Sequence, residues 1–302
     1  MTATPSANLS ASGDPEPAAP GGPPNGRRET AIACRGLTKR FGRQTVLEDL
    51  DLDVYRGERL VILGGSGAGK STLLDLMAAQ TEATAGTIEV DGKNLCAMTP
   101  RERIEYRKGT GMLFQSGALF QSMTLAENVA LPMREHTDLD EETIDTLVTM
   151  KLQRVGLRAH ADKKPAEISG GMRRRAGLAR AIALDPSIIF YDEPSAGLDP
   201  VSVTQVDELM IGLNEAHGIT TVIITHEMAS AFRVAQRMVL MDQGRFVADG
   251  TPEAMKHSDN RLVRQFVNGL SDGPLTQRED PEAYRRDLLD LEETGRGDGP
   301  DG

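Results

Sequence analysis

A glycine-rich turn between a short apolar run and an amphipathic run sets the first limit on how this chain folds. Residues 60–63 have the composition of a buried strand, and residues 70–77 place leucine and methionine at helical spacing. The turn that connects them consists of Gly64, Gly65, Ser66, Gly67, Ala68, Gly69, Lys70, Ser71 and Thr72. A glycine, four residues and then Gly-Lys-Ser is the spacing of a phosphate-binding P-loop.

The chemistry of this loop depends on its glycines, its lysine and its position before a helix. Glycine lets successive backbone N–H groups point at one anion, and the positive end of the helix dipole adds to that attraction. Lys70 can reach the β- and γ-phosphates of a nucleotide, and the hydroxyl of Ser71 can ligate Mg²⁺. A flexible glycine turn that merely precedes Lys-Ser is the alternative, but the strand before it and the helix after it argue against that. Residues 64–72 therefore predict a nucleoside triphosphate site.

Composition is typical of a soluble globular protein in a reducing compartment. The chain has 302 residues, of which 39% are hydrophobic and 26% charged, enough for one large or two modest domains. No apolar run is long enough to span a bilayer and no signal-peptide pattern is present, so we expect a cytoplasmic chain unless a partner holds it at a membrane. Cys34 and Cys96 lie far apart and indicate small core residues. The net charge of −11 argues against a nucleic-acid partner.

The two ends of the chain differ in composition from the middle. Residues 1–28 contain almost no large apolar side chain, so we expect a disordered N-terminal tail. Residues 269–302 form an acidic extension, because ten acidic and four basic residues from position 271 onward contribute −6 of the net −11. Asp280-Pro281 could begin a short helix there. Its apolar stripe would consist of Tyr284, Leu288 and Leu291. A docked helix and a solvated tail fit this pattern equally well.

Between these ends, residues 29–268 are expected to form one α/β domain with two additions. Alternating apolar residues between positions 31 and 54 predict half-buried strands of an antiparallel β subdomain. Residues from about 116 to 184 predict an inserted helical subdomain, in which Ser169 is a typical N-cap for the last helix. Apolar runs at 187–191 and 220–225 predict fully buried strands.

Four polar segments directly follow predicted strands. They are the P-loop, Gln115, Asp192-Glu193 and His226. In an open α/β sheet, ligands bind beyond the carboxyl ends of the strands. A single histidine or an Asp-Glu pair after a strand is usually structural, but that explanation is poor for four such segments together. The sequence therefore predicts one site at this edge of the sheet.

The residues at this edge suit phosphoryl transfer to water, which needs positioning and charge neutralisation. Asp192 would hold Mg²⁺, and Glu193 would polarise the attacking water. Gln115 can contact both the metal and the water through one amide. His226 can bond the γ-phosphate and orient Glu193. Together with Lys70, these side chains predict hydrolysis of the nucleotide.

Two further features each admit two interpretations. Phe41 stands in a turn between predicted strands ahead of the P-loop, and it is either a stacking platform for adenine or an ordinary loop aromatic. Its position favours the platform. Arg173, Arg174 and Arg175 lie in the first turns of the helix that begins at Ser169, where positive charge opposes the helix dipole. They form either a surface for an anion or a solvated basic face.

These motifs, in order from about residue 30 to 268, resemble the nucleotide-binding subunit of an ABC transporter. The chain resembles in particular the ATPases of Mla/Mce-type phospholipid transporters. The segments that carry the resemblance are residues 64–72, 113–120, 125–132, 134–136, 169–173, 187–193, 195–199 and 263–266. The implied fold class is α/β, a P-loop NTPase core of the ABC type with an antiparallel β subdomain and an inserted helical subdomain.

The resemblance implies that two copies hold two molecules of ATP, with Mg²⁺, between them. In such pairs Ser169, Gly170 and Gly171 of one copy meet the γ-phosphate on the other copy's P-loop, and Asp199 links the two sites. The sequence Ile168 to Met172 departs from the commoner Leu-Ser-Gly-Gly-Gln, and Met172 lacks the amide contacts of glutamine.

The resemblance also implies partners in a membrane complex. Residues 116–120 and the inserted helices would form a groove that receives a helix of an integral-membrane permease. A periplasmic lipid-binding Mce-type subunit would belong to the same complex. The implied location is the cytoplasmic face of a bacterial inner membrane, and the implied function is phospholipid transport for outer-membrane lipid asymmetry.

Other functions remain as alternatives. An ABC ATPase that powers uptake of a small polar solute shares all of these motifs. A soluble ABC ATPase acting on DNA or ribosomes would need a long coiled coil or a second ATPase domain, whereas this chain has one P-loop and a short distance from it to Asp192. A module that binds nucleotide without hydrolysis would not need both Glu193 and His226.

Overall fold

The computed structural model describes residues 29–274. Its strands are β1 (Thr30–Phe41), β2 (Gln44–Tyr55), β3 (Arg59–Gly64), β4 (Ala85–Val90), β5 (Lys93–Asn94), β6 (Thr110–Leu113), β7 (Ile188–Asp192), β8 (Thr220–Thr225), β9 (Arg237–Asp242) and β10 (Arg245–Gly250). Its α-helices are α1 (Lys70–Met77), α2 (Pro100–Lys108), α3 (Leu125–His136), α4 (Glu141–Arg154), α5 (Gly170–Ala181), α6 (Pro200–His217), α7 (Met228–Val234), α8 (Pro252–Lys256) and α9 (Arg261–Asn268). The predicted disorder of residues 1–28 and the predicted helix with Tyr284, Leu288 and Leu291 lie outside the described residues.

The strands form two sheets. An antiparallel sheet has the order β2-β1-β4-β5, and a six-stranded sheet has the order β10-β9-β3-β8-β7-β6. In the six-stranded sheet β9, β3, β8, β7 and β6 run parallel, and β10 pairs antiparallel at one edge. The strand that leads into the P-loop therefore lies inside the sheet, flanked by β8 and β9.

The six-stranded sheet has a hydrophobic core on each face. Leu60 and Ile62 of β3 pack with α1 and the antiparallel sheet, whereas Val61 and Leu63 pack with helices on the other face. Every residue of β3 is buried. Because both faces of the strand are covered, its run is apolar without alternation, as in other parallel sheets.

Helices α3, α4 and α5 form a layer against the second core. The buried stripe of α4 consists of Ile144, Val148 and Leu152. Helix α3 continues through Pro132, which removes one intrahelical hydrogen bond, while Val129 and Met133 on either side remain buried. The fold is thus α/β with an antiparallel sheet and a helical layer added to a P-loop core, as the sequence predicts.

Candidate nucleotide-hydrolysis site

The P-loop connects β3 to α1 in a conformation that two of its glycines make possible. Gly64 ends the strand, and a Cβ at this position would lie 2.5 Å from the carbonyl oxygen of Met241. Gly69 caps α1 with φ of 101°, and a Cβ there would lie 2.6 Å from Leu47 Cδ2. Both contacts are closer than real side chains tolerate, so these positions require glycine.

The remaining loop residues divide into exposed and buried ones. Ser66, Gly67 and Ser71 are exposed, Gly65 and Thr72 are half-buried, and Ala68 packs into the core beneath the loop. Ser71 lies in the first turn of α1. The exposed residues of the loop, Ser71 among them, are therefore accessible to a phosphate.

Lys70 lies across the P-loop with little exposure. Its ammonium donates hydrogen bonds to the carbonyl oxygens of Gly64 and Gly65 at 2.8 and 2.9 Å. Burial lowers the pKa of Lys70, and the carboxylates of Glu193 and Asp192 act in the opposite direction. The lysine thus sits between the loop and the acidic pair at the end of β7.

The strand registers place the four predicted segments at one edge of the sheet. In the parallel pairs, Leu63 lies opposite Thr225, Ile224 lies opposite Asp192, and Tyr191 lies opposite Leu113. The P-loop, His226, Glu193 and Gln115 follow these positions on the adjacent strands β3, β8, β7 and β6. The expectation that they share one edge is therefore right.

Glu193 and His226 are in direct contact. The carboxylate of Glu193 lies 2.9 Å from Nδ1 of His226 and accepts the backbone N–H of His226 at 3.3 Å. The Glu193 side chain is 12% exposed and that of His226 is 58% exposed. Glu193 has φ of 47°, a conformation that costs a non-glycine residue roughly 1–3 kcal/mol. Its N–H is bonded to the carbonyl of Ile224 at 3.0 Å, which holds the residue in this conformation.

Asp192 concentrates negative charge beside this pair. Burial raises the pKa of Asp192, and the carboxylates of Glu193 and Asp75 raise it further, against Lys70 and Arg174. A half-buried carboxylate with two acidic neighbours gains more than an exposed one from a bound cation. Asp192 is therefore suited to hold a metal ion.

Gln115 and Phe41 are both exposed side chains. Gln115 follows β6 at the site's edge, separated from the strand by Phe114. Phe41 is the last residue of β1, 54% exposed, with the ammonium of Lys39 4.7 Å from the ring centroid. Lys39 also donates to the carbonyl of Glu82 at 2.7 Å. Stacking requires an accessible ring, so the exposure of Phe41 is compatible with a platform for adenine.

Ser169, Gly170 and Gly171 form the start of α5. Ser169 caps the helix, because its hydroxyl accepts the N–H of Met172 at 3.2 Å. A Cβ on Gly171 would lie 2.6 Å from Ser202 Oγ, so α5 abuts α6 without room for a side chain.

Asp199 caps helix α6. Its carboxylate accepts the N–H groups of Val201 and Ser202, both at 3.0 Å. Hydrogen bonds from Ser202 hold the pKa of Asp199 below its ordinary value. An aspartate before a proline at the first helical position is a sequence signal for such a cap.

The three arginines in α5 bond backbone carbonyls, which neither interpretation predicts. Arg173 donates to the carbonyl of Ile168 at 2.8 Å, and Arg175 donates to that of Val155 at 2.8 Å. Arg174 is 6% exposed and donates to the carbonyls of Phe114 and Ala196. All three guanidinium groups therefore bond backbone carbonyls, with Arg174 buried and Arg173 and Arg175 half-buried.

Sequence reasoning also missed Asn128 and Arg180. Asn128 is fully buried in α3, and its amide bonds to the backbone of residues 120–124. Arg180 donates to the carbonyls of Gly117 and Ala118. Both residues fix the loop that follows Gln115. The sequence signal for Asn128 and Arg180 is that each is a polar residue on an otherwise apolar face of its helix.

The order of these motifs and the two-sheet core define a class of ATP-binding subunit. A family model described as "ABC transporter" matches residues 47–196. The chain belongs to the ABC transporter family. Within that family it is a subunit of the kind that binds and hydrolyses ATP. In residues 29–274, no helix is both long and apolar enough to cross a membrane.

Three relatives show how similar the chain is to particular members. It is 41% identical over 262 residues to the intermembrane phospholipid transport system ATP-binding protein MlaF of Haemophilus influenzae, covering 87% of this chain and 99% of that protein. It is 42% identical to MlaF of Escherichia coli K12, covering 85% and 96%. It is 43% identical to the probable ribonucleotide transport ATP-binding protein mkl of Mycobacterium leprae, covering 83% of this chain and 73% of that protein.

Solved structures agree in fold. A dimer of the ATP-binding cassette MJ0796, in a post-hydrolysis state bound to ADP and Pi, superposes with a TM-score of 0.68 at 28% identity, covering 73% of this chain and 98% of that chain. The protein cbiO1 of Clostridium perfringens, part of the ABC transporter complex cbiONQ, gives a TM-score of 0.70 at 26% identity, covering 79% and 98%. The dimeric structure of MJ0796 supports a subunit that forms a homodimer.

Proposed function

We propose that this chain is the energy-coupling subunit of a phospholipid ABC transporter. Two copies would pair on the cytoplasmic face of a bacterial inner membrane, bound to an integral-membrane permease. A periplasmic lipid-binding Mce-type subunit would belong to the same complex, which would maintain outer-membrane lipid asymmetry. The observation that carries the proposal is the alignment with two phospholipid-transport relatives, which covers 99% and 96% of their lengths.

The residues at the sheet edge fit ATP with Mg²⁺. Ser71, Gln115 and Asp192 offer hydroxyl, amide and carboxylate oxygens, the hard ligands that Mg²⁺ prefers. The described residues contain no cluster of three or more His, Cys, Asp or Glu side chains suited to a metal. Mg²⁺ is commonly held by one or two carboxylates together with substrate phosphates and water. The bound ion would neutralise charge on the phosphates.

The hydrolytic step is proposed to use Glu193 as the general base. Its carboxylate lies beyond β7 and contacts His226, which fixes its orientation. Glu193 would take a proton from the attacking water, a role worth roughly 10²- to 10⁴-fold in rate. Gln115 would position that water. Lys70 would exchange its two carbonyl partners for the β- and γ-phosphates, and the exposed His226 would contact the γ-phosphate.

The start of α5 is proposed to complete the site of the other copy. Ser169 caps this helix and leaves the N–H groups of its first turn, including those of Gly170 and Gly171, at its positive end. Such a helix end favours an anion. The γ-phosphate on the partner's P-loop would be that anion, and Phe41 would stack on adenine. Asp199 would join the two sites through the loop that precedes α6.

A ribonucleotide cargo is the second candidate, because mkl of Mycobacterium leprae is 43% identical to this chain. The share of each relative's length that the alignment covers favours a phospholipid cargo. The alignment covers 73% of mkl but nearly all of the two MlaF proteins. The motifs of the ATP site do not distinguish these cargoes.

The test is to purify the chain with its membrane partners from bacterial membranes in mild detergent. Mass spectrometry would identify the co-purifying integral-membrane protein and the bound lipid. The complex would then be reconstituted in vesicles, and ATP-dependent movement of a fluorescent phospholipid would be compared with uptake of a labelled ribonucleotide. We expect movement of the phospholipid that Lys70→Ala abolishes. ATP-dependent ribonucleotide uptake without phospholipid movement would contradict the proposal.

A further inference from the structure

One guanidinium joins three segments of the site. Arg174 lies in the second turn of α5, after the Ser169 cap, and is 6% exposed. Its Nη1 donates to the carbonyl of Phe114 at 2.9 Å, and its Nη2 donates to the carbonyl of Ala196 at 3.2 Å. Phe114 directly precedes Gln115, and Ala196 lies in the loop between Glu193 and Asp199. We call residues 114–124 the Gln115 loop and residues 194–199 the Asp199 loop.

Close packing prevents α5 from sliding on the Gln115 loop. A Cβ on Gly177 would lie 2.9 Å from Leu113 Cδ1 and 3.0 Å from the carbonyl oxygen of Gly117. A Cβ on Gly117 would in turn lie 3.2 Å from the carbonyl of Arg173. Arg180 donates to the Gly117 carbonyl at 3.2 Å as well. The helix and this loop therefore form one packed unit.

The Asp199 loop is tied to this unit through Arg174 and to the carboxylate pair through its own backbone. The N–H of Ala196 donates to the carbonyl of Glu193 at 3.2 Å. The charges of Asp192 and Glu193 favour the ionised form of Arg174 against the effect of burial, which lowers its pKa. The guanidinium reaches the two carbonyls with two different nitrogens held in one rigid plane, whereas the three N–H groups of a lysine ammonium share one nitrogen at the end of a flexible stem.

We infer that Arg174 is a positioning residue that couples the start of α5 to the Gln115 loop and the Asp199 loop of the same copy. This inference rests on the proposed pairing of two copies around ATP. In that pair, α5 meets the partner's nucleotide, while Gln115 and Glu193 serve the nucleotide of their own copy. A shift of α5 on ATP binding therefore moves the Phe114 and Ala196 carbonyls, and the two sites of the pair respond together.

The test compares Arg174→Lys with Arg175→Lys in the 302-residue chain. Arg175 is the matched control, because it is in the same helix and bonds a single carbonyl, that of Val155 at the end of α4. Steady-state ATPase activity is measured against ATP concentration with Mg²⁺. The wild type should be cooperative, with a Hill coefficient approaching about 2, the number of sites. Arg174→Lys should lower the coefficient toward 1 and kcat by about tenfold.

Measuring nucleotide affinity shows whether Arg174→Lys weakens the coupling between the two sites or damages ATP binding itself. Binding of a fluorescent ATP analogue to Arg174→Lys should stay within about threefold of wild type, because the coupling acts between sites. Arg175→Lys should keep the wild-type Hill coefficient. Gly177→Ala supplies a second perturbation that leaves Arg174 in place, since its methyl group would wedge α5 away from Gly117. It should lower cooperativity in the same direction.

The following results would overturn the coupling role of Arg174 or the proposed function. A wild-type Hill coefficient in Arg174→Lys overturns it, as does an equal loss in Arg175→Lys. If Arg174→Lys does not fold, Gly177→Ala decides: unchanged cooperativity there overturns the inference. A non-cooperative but active wild-type enzyme overturns the coupling and leaves the proposed hydrolysis standing. A folded wild type with no ATPase activity, alone or with its permease, overturns the proposed function itself.

Discussion

Asn128 offers a direct measurement of how firmly the Gln115 loop is held. Its side chain is 0% exposed in α3. The amide oxygen accepts the Phe120 N–H at 2.8 Å. The amide nitrogen lies 2.8 Å from the carbonyl of Thr124, 3.1 Å from that of Phe120 and 3.3 Å from that of Met123. Because the nitrogen has two hydrogens, the side chain makes about three good hydrogen bonds at once.

Asn128→Ala removes these bonds and leaves backbone groups of the loop unpaired. At about 1 kcal/mol each, the expected loss of unfolding free energy is about 3 kcal/mol. With a urea slope of about 3 kcal/mol per M, the unfolding midpoint should fall by about 1 M. Urea unfolding followed by circular dichroism measures this shift. Hydrogen exchange should also become faster at the amide of Phe120.

The control for this prediction is Asn268→Ala. Asn268 is exposed and its amide donates to the Arg264 carbonyl one turn earlier in α9. An exposed substitution of this kind changes stability by about 0.5 kcal/mol or less. If Asn128→Ala and Asn268→Ala unfold at the same urea concentration, the loop does not depend on the buried amide and the reasoning fails.

Two further predictions concern the partner's site and the buried acid of α6. Ser169→Arg should abolish ATPase activity. Nucleotide affinity of the monomer, measured by fluorescence titration, should stay within about threefold of wild type because Ser169 serves the other copy. A loss of affinity equal to that of Lys70→Ala would contradict this prediction. Asp207 is fully buried, accepts hydrogen bonds from Ser230 and Arg233, and has its pKa raised above 3.8 mainly by burial. The folded state therefore binds the proton of the Asp207 carboxyl group more tightly than the unfolded chain does. For this reason the stability of wild type relative to Asp207→Asn should increase as pH falls from 7 toward 4. A difference in urea midpoint between the two proteins that is the same at pH 7 and pH 5 would refute this prediction.

The edge of the sheet could be predicted because each of its parts is local. A buried strand followed by a polar residue is visible in a few consecutive letters, as at Asp192-Glu193 and at His226. Parallel strands then bring their carboxyl ends together, whatever their order in the sheet. The strand order and the left-handed backbone of Glu193 were beyond the sequence, because both depend on neighbours distant along the chain.

The buried arginine and asparagine could not be predicted for a related reason. Arg174 bonds the Phe114 carbonyl across 60 residues, and a carbonyl acceptor has no signature in the sequence. A run of three arginines therefore looks like a charged surface, although burial and backbone acceptors decide its role. Asp199 is a different case. The Asp-Pro pair signals a helix start as clearly as any other cap, but the resemblance drew attention to its place between two sites.

We propose that Glu193 is the base in an ATPase that acts as a pair. Steady-state ATPase activity of Glu193→Gln tests the role of the carboxylate, and light scattering of the variant in ATP tests the pairing. The glutamine keeps the shape of the side chain but cannot accept the water's proton. We expect activity to fall by at least about 10²-fold, with ATP binding intact and an ATP-bound dimer accumulating. Activity within a few-fold of wild type, with no dimer in ATP, would contradict both the role of Glu193 as the base and the pairing of two copies.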